Sequence, residues 1–520
     1  MLSDTRRVAE RPILGERPPA AAPPVTGSAS DVDTDDRRSG DPSRPGMHRY
    51  VRRSLLVIAG AHVVVGVIWW LLNLTAVPAY GDTPEYVRLA QTLDVDGYRT
   101  LAYPALVRIS LELSTATGVP WQLPLYLGQT AASVLALWYF VRTVAPRASR
   151  ASVALVTAVT VTTPLVLHYA TTVLSDSVAA ALFVVALSGA ARMAVHGDTR
   201  WRTVLLTGGS AVGTALMRAE KPVVLVAVAV AFVGIALVTR RRGPGAVPAR
   251  ARIRSVVPPA GLFLVAAVVA TVVNGATQAG DHGRPDAGLV TAAMSRIVWP
   301  HVAEIRDDLP EPVRDAISPA DAATFDQNVN SILALTNLLR ELDGGGDAYT
   351  GAAIRAALRC CAPTVALQTG GDAVELAVAP LTFAGEASRA ILAEGPVEGP
   401  TVWNLTRMDA AHPALTHVWV GLSSLVLLLV VVGGGLAVGR ARGTTRRPGW
   451  SGGHTSTVVL LVWAGAVVNG CFFAAVGGGD ANVRYGVSSG MVVVGVLAVL
   501  CLARARAERT DGTPGAPAPR

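Results

Sequence analysis

The chain has 520 residues, 51% of them hydrophobic and 16% charged, with a mean hydropathy of +0.43. That balance excludes a soluble enzyme of this length and points to a polytopic membrane protein. A net charge of +8 invites a nucleic-acid reading, but the basic residues sit in short loops between apolar runs, which removes it.

Residues 1–48, rich in Pro, Arg, Asp, Ser and Gly, read as a disordered tail. Arg6-Arg7 is no twin-arginine signal, because the first apolar run starts far downstream. Apolar runs of roughly 18 or more residues then predict about ten spanning helices. They lie near 54–74, 121–141, 151–169, 173–195, 203–219, 221–239, 255–275, 416–438, 455–476 and 484–502. Pro222 does not merge the fifth and sixth runs, since the joined segment is too long for one crossing.

Loop charge sets the expected orientation. The segments 49–53, 142–150, 192–202, 240–254, 440–447 and 504–509 hold 22 arginines. The short alternate loops, leaving aside the long segment 276–412, hold six basic residues: Arg88, Arg99, Arg108, Arg218, Lys221 and Arg484. By the positive-inside rule both termini are expected in the cytoplasm, in a multi-pass plasma-membrane protein.

The first outer loop, 75–118, opens with "AYGDTPEYVRL". Asp82 three residues ahead of Glu85, with Pro84 in the first turn, makes a helix capping box. Tyr86, Leu89, Ala90 and Leu93 continue it at helical spacing. A polar insertion, 276–412, separates the seventh and eighth runs and is expected to form a mainly helical extracytoplasmic domain. Within it Ile332, Leu335, Leu339 and Leu342 form a helical stripe, and Thr364 to Phe383 is expected along the membrane surface. Three further spans occupy 413–503, and 504–520 reads as a second disordered tail. The adjacent Cys360 and Cys361 allow a vicinal disulfide only with strain, and two unpaired thiols are the expected state.

Absences narrow the chemistry. Lys221, in "MRAEKP", is the single lysine, so no Walker A loop exists and a nucleotide-driven pump is excluded. "GVSSG" at 486–490 opens a spanning helix and is not a nucleophile elbow. "GGGLAVG" at 433–439 reads as small-residue helix packing. What remains is a set of polar groups at the outer ends of spans: Asp82 and Glu85, Asp176, Arg218, Glu220 and Lys221, then Asp480, Arg484 and Tyr485. Charges are tolerated at span ends in any membrane protein, but acids and bases at four outer connections are also what one shared cleft would need. Such a cleft suits an anionic substrate with a lipid tail. Arginine or lysine stabilises a leaving phosphate, and a carboxylate takes the proton of an incoming hydroxyl.

At these residues the sequence resembles the GT-C membrane glycosyltransferases of the protein-O-mannosyltransferase and aminoarabinose-transferase kind. The resemblance is carried by "YGDTPEYVRLAQTL" and "YRTLAYPALVRI" in the first outer loop, the acidic residue opening the fourth span, "LMRAEKP", and the late "RYG". It implies a GT-C-like seven-span module over 49–275 and a polyprenyl-phosphate sugar donor. It implies Asp82 as general base and Glu85 as its support. Asp176 takes the acidic position of the second outer loop, which in some members helps bind a divalent metal; metal dependence stays open. Arg218, Lys221, Arg484 and Tyr485 fall where the family contacts the lipid phosphate. Transfer to an acceptor glycan, lipid or protein hydroxyl on the outer side, with inversion, is the implied reaction. The rivals from other classes are a transporter or lipid flippase, which usually has polar or broken helices at mid-membrane, and a non-catalytic envelope scaffold.

Overall fold

A computed structural model describes residues 44–74, 83–93, 99–238, 249–277, 297–318, 347–377, 379, 383, 412–443, 452–476 and 486–510. The chain divides into two units, Met1–Arg53 and Ser54–Arg520, and of the first only the helical residues from Arg44 are described. Among the described residues every regular element is a helix.

In chain order these are α1 (Arg44–Asn73), α2 (Thr83–Thr92), α3 (Ala102–Thr117), α4 (Gln122–Val144), α5 (Arg150–Val161) and α6 (Pro164–Ala170). Next come α7 (Asp176–His196), α8 (Trp201–Met217), α9 (Lys221–Val238) and α10 (Ala249–Thr277). The insertion supplies α11 (Val302–Ile305), α12 (Glu311–Ala316) and α13 (Asp347–Ala377). The chain then forms α14 (Pro413–Gly443), α15 (Gly452–Val476) and α16 (Val487–Thr510).

Each apolar run of the sequence falls on a helix, but the count of about ten spans is corrected. Four helical segments among the described residues are long and apolar enough to cross a membrane: Arg53–Asn73, Asp176–His196, Ser255–Thr277 and Pro413–Gly434. A fifth is obtained if α5 and α6 form one bent span. The described parts of α9, α15 and α16 are apolar but shorter.

The expected single span at 151–169 is the clearest departure. It breaks after Val161 into α5 and α6, bent by 74°. Pro164, at the first turn of α6, has no N–H to continue the ladder. Groups freed by the break are partnered inside the protein. The Thr162 carbonyl accepts from Trp419 Nε1 at 3.0 Å, and Thr162 Oγ1 lies 3.1 Å from His62 Nε2. His62 Nδ1 meets Ser423 Oγ at 3.1 Å, tying α1 and α14 to the break. Trp69 and Trp419 stack beside it with centroids 4.1 Å apart.

α7 is the axis of the bundle. It packs against α4, α8, α10, α15 and α16, and small residues such as Ala180, Ser188, Gly189 and Ala190 let those neighbours approach closely. Between membrane helices there is no hydrophobic drive, so such close packing holds them together. The peripheral helices show the complementary face. α1 exposes Val57, Val64 and Leu71, and α10 exposes Val265, Val268 and Val272. Exposed apolar bands on long helices are lipid-facing surface. Gly433 and Gly434 of α14 lie against Cys501 and Leu497 of α16, as small-residue packing predicts.

Within the insertion, Val298, Val302, Ile305, Leu309, Val313 and Ile317 bury against Ala353, Ala356 and Ala357 of α13, a small core of its own. The far end of α13 packs on α15, and beyond it Phe383 approaches the rings of His168 and Tyr169. Residues 364–377 therefore continue one 31-residue helix onto the bundle. Cys360 and Cys361, expected as free thiols, are joined to each other. The stripe from Ile332 to Leu342 lies outside the described residues.

Candidate active site

The start of α7 is where polar residues gather. Asp176 is its first residue, and a carboxylate in the first turn complements the positive end of the helix dipole. α8 runs back antiparallel to α7 and ends at Met217. Arg218, extended at φ −151° and ψ 131°, then turns the chain into α9, which starts at Lys221. Three helix ends thus meet.

Arg218 bridges them. Its Nη1 donates to Asp176 Oδ1 and its Nε donates to Glu220 Oε1. Two acids and two bases, Asp176, Glu220, Arg218 and Lys221, balance in charge. Side-chain exposure falls from 24% at Glu220 to 15% at Arg218 and 4% at Asp176, so solvent reaches the cluster from the Glu220 side. Desolvation pushes the Glu220 carboxyl up, but the charges of Arg218 and Lys221 outweigh it and hold it below its ordinary value.

Lys221 is buried and turns the other way. Its Nζ donates to Asn469 Oδ1 on α15 at 2.6 Å and lies 5.5 Å from the Phe183 ring centroid. Asn469 Nδ2 in turn donates to Ser488 Oγ on α16 at 3.3 Å. The late helices therefore support the lysine from behind.

A second network fixes the link leading into α7. Gln129 of α4 donates through Nε2 to the carbonyls of Ala170 (3.1 Å) and Thr172 (3.0 Å). Its Oε1 accepts from Tyr103 (3.0 Å) and Ser177 (3.2 Å). Burial pushes the Tyr103 hydroxyl well above its ordinary value, helped by Tyr86, Tyr126 and Asp176, so it stays a donor. Tyr86 of α2 meets Ser175 Oγ at 3.0 Å and accepts from Arg99 Nη1 at 3.1 Å. Thr83 Oγ1 contacts the Val173 carbonyl at 3.5 Å, docking the first turn of α2 beside the same link.

Of the residues singled out from sequence, Asp176, Arg218 and Lys221 come together, with Glu220 among them. Glu85 does not join: it forms a two-point pair with Arg88 on the exposed face of α2, at 2.6 and 3.0 Å. Asp82, Asp480, Arg484 and Tyr485 lie outside the described residues. Sequence reasoning missed Asn469, Ser488 and Gln129. The signal was there, since an amide inside an apolar run is costly and rarely idle. Among the described residues no three or more His, Cys, Asp or Glu side chains are grouped to hold a metal ion.

No family model matches the chain, and no curated protein matches it. Two solved structures of ArnT from Cupriavidus metallidurans resemble it, one bound to undecaprenyl phosphate and one in the apo state. Both are 14% identical and cover 85% of this chain, and 77% and 76% of their own, at TM-scores of 0.34 and 0.32. Likeness at that level carries no functional argument. The chemistry has to rest on the cluster itself.

Proposed function

We propose that the chain is an integral membrane glycosyltransferase of GT-C type. It moves a sugar from a polyprenyl-phosphate donor to an acceptor hydroxyl on the extracytoplasmic side, with inversion. The observation that carries the reading is the Asp176–Arg218–Glu220–Lys221 cluster, assembled from three helix ends at one end of the bundle. A guanidinium and an ammonium close together, with carboxylates beside them, suit a phosphate whose charge grows as a glycosidic bond breaks.

In this reading the acceptor oxygen attacks the anomeric carbon as the bond from that carbon to the phosphate oxygen breaks. Asp82 takes the hydroxyl proton, and the polyprenyl phosphate departs with the bonding electron pair. Arg218 and Lys221, with Arg484 and Tyr485, receive the phosphate. Asp176 and Glu220 hold the Arg218 fork in one orientation, so that little reorganisation accompanies the reaction.

The transporter or flippase reading draws on one observation, the break between α5 and α6. Broken helices that bind cargo expose their freed backbone to a cavity. Here the Thr162 carbonyl and hydroxyl are taken by Trp419 and His62, which favours a packed joint.

The deciding experiment incubates purified protein with a panel of polyprenyl-phosphate sugars and acceptors, scoring sugar release and transfer. Turnover with at least one donor, lost in Arg218→Ala, is expected. Release of no sugar from any donor, with lipid movement across sealed vesicles instead, would move the assignment to the rival class.

A further inference from the structure

A second polar site lies at the opposite end of α7. The helix has 21 residues and is about 30 Å long, roughly the hydrocarbon thickness of a bilayer. Asp176 at its start and the loop after His196 therefore sit at the two membrane faces. Around that loop is an open cavity of about 440 Å³, lined by Arg142, Arg192, His196, Asp198, Thr199 and Arg200 among others. Three arginines and one aspartate line it.

The carboxylate is committed to building the loop. Asp198 Oδ2 accepts from Arg192 Nε at 2.6 Å, and its Oδ1 accepts from the Arg200 backbone N–H at 3.4 Å. Desolvation pushes the Asp198 carboxyl up, but these contacts outweigh it and hold it below its ordinary value, so it stays charged. Positive charge is left in surplus at the mouth. Arg142 donates to the Ala148 carbonyl at 3.1 Å with its guanidinium 5.7 Å from the Trp138 ring centroid, and the Arg200 side chain, 86% exposed, pairs only loosely with Asp198, its Nε 3.9 Å from Oδ1.

The rim grades from basic to apolar along α8. Trp201 is exposed with the Arg202 guanidinium 5.5 Å from its ring centroid, and Leu205 and Leu206 are exposed one turn further on. On α4, exposed Leu135 precedes Arg142 by two turns. An exposed Trp marks headgroup depth, and exposed leucines beyond it mark the acyl region. A soluble anion would use the arginines alone. An amphiphile uses both parts.

We infer that this cavity binds the phosphate ester of an anionic phospholipid headgroup, with the acyl chains along the exposed leucines of α8. Arginine forks recognise phosphate oxygens, and basic pockets between spanning helices take such headgroups. This site is independent of the transfer chemistry at the other end of α7.

The test uses the full chain in neutral detergent, titrated with phosphatidylglycerol, phosphatidylcholine or inorganic phosphate. Bound lipid is counted by native mass spectrometry and stabilisation is read as a Tm shift. Phosphatidylglycerol is expected to bind saturably, phosphatidylcholine and millimolar phosphate to give no shift. Arg142→Gln combined with Arg200→Gln should weaken phosphatidylglycerol binding at least tenfold, and Arg200→Gln alone, at an exposed side chain, several-fold. Arg108→Gln, an exposed residue paired with Glu112 on α3, serves as the charge control and should bind as wild type. Equal binding by wild type and both cavity variants overturns the site. A full Tm shift from inorganic phosphate alone overturns the lipid as its occupant.

Discussion

Arg218 reaches across 42 residues of chain to the carboxylate of Asp176 while its Nε holds Glu220, so one guanidinium ties the start of α7 to the turn before α9. Removing it takes the guanidinium partner from two carboxylates in a largely buried site. Arg218→Ala should lower stability by about 3–5 kcal/mol, as for other buried pairs deprived of one partner. Arg218→Lys restores the charge but not the fork, and should recover only part of the loss. Thermal unfolding in detergent measures both. A Tm for Arg218→Ala equal to wild type would mean that the bridge contributes nothing to the fold.

Glu220 gives the cluster a pH signature. Its carboxyl is held below its ordinary value of 4.5 by Arg218 and Lys221. A group depressed in the folded state adds stability that is fully present above its unfolded value and is lost as pH falls through the folded value. Stability should therefore drop below about pH 4.5, and Glu220→Gln should flatten that drop while being less stable at neutral pH. Parallel acid limbs for the two proteins would show that Glu220 does not titrate with folding.

How much of this could be read from the chain differs by feature. Asp176, Arg218 and Lys221 stood out because each interrupts an apolar run, and apolar runs set helix ends. Their partnerships were not legible. A sequence shows Glu220 beside Arg218 but not that α7 and α8 fold back to bring Asp176 to the same guanidinium. Asn469 hid inside "VVNGC", where its neighbours made the run read as uniform span. Pro164 carries a break signal that a reading by hydropathy of the surrounding run passes over. The span count overshot for a related reason. Hydropathy ranks residues by type, whereas crossing length depends on where each helix starts and stops.

Lys221 should be sensitive to its support. Asn469→Leu removes the acceptor of its 2.6 Å hydrogen bond without touching donor contacts directly. The expected result is a raised KM for the lipid donor with kcat less affected, and rescue by Asn469→Asp. Lys221→Ala and Arg484→Ala should each weaken donor use more, by about 2.7–4 kcal/mol if they stabilise developing charge. Wild-type rates in Lys221→Ala and Arg218→Ala together would place the phosphate elsewhere.

Orientation is testable without activity. The 22-to-six asymmetry of the short loops predicts residues near Gly344 outside and residues near Gly243 inside. In a background lacking native cysteines, Gly344→Cys should label in intact cells with an impermeant thiol reagent, and Gly243→Cys only after permeabilisation. Labelling of the second site in intact cells reverses the membrane orientation and moves the cluster to the cytoplasmic face, where no transfer from an outward-facing donor is available.

The remaining question is what "GDTPEY" does. Thr83, the chain neighbour of Asp82, begins α2 and is docked on the Val173 carbonyl three residues before Asp176. As a helix cap alone, Asp82 is replaceable, because Asn caps about as well as Asp. As the base it is not, since the amide of Asp82→Asn keeps the shape and the cap but accepts no proton. Loss of a general base typically costs roughly 10²–10⁴-fold in rate. Asp82→Asn is expected to lose activity on that scale while expression, membrane insertion and lipid-donor binding stay near wild type. Glu85→Gln should be milder, because Glu85 pairs with Arg88 on an exposed helix face, where such pairs contribute little. Normal turnover by the Asn variant, measured with the donor identified in the panel above, would reduce the motif to architecture and leave the transfer without its base.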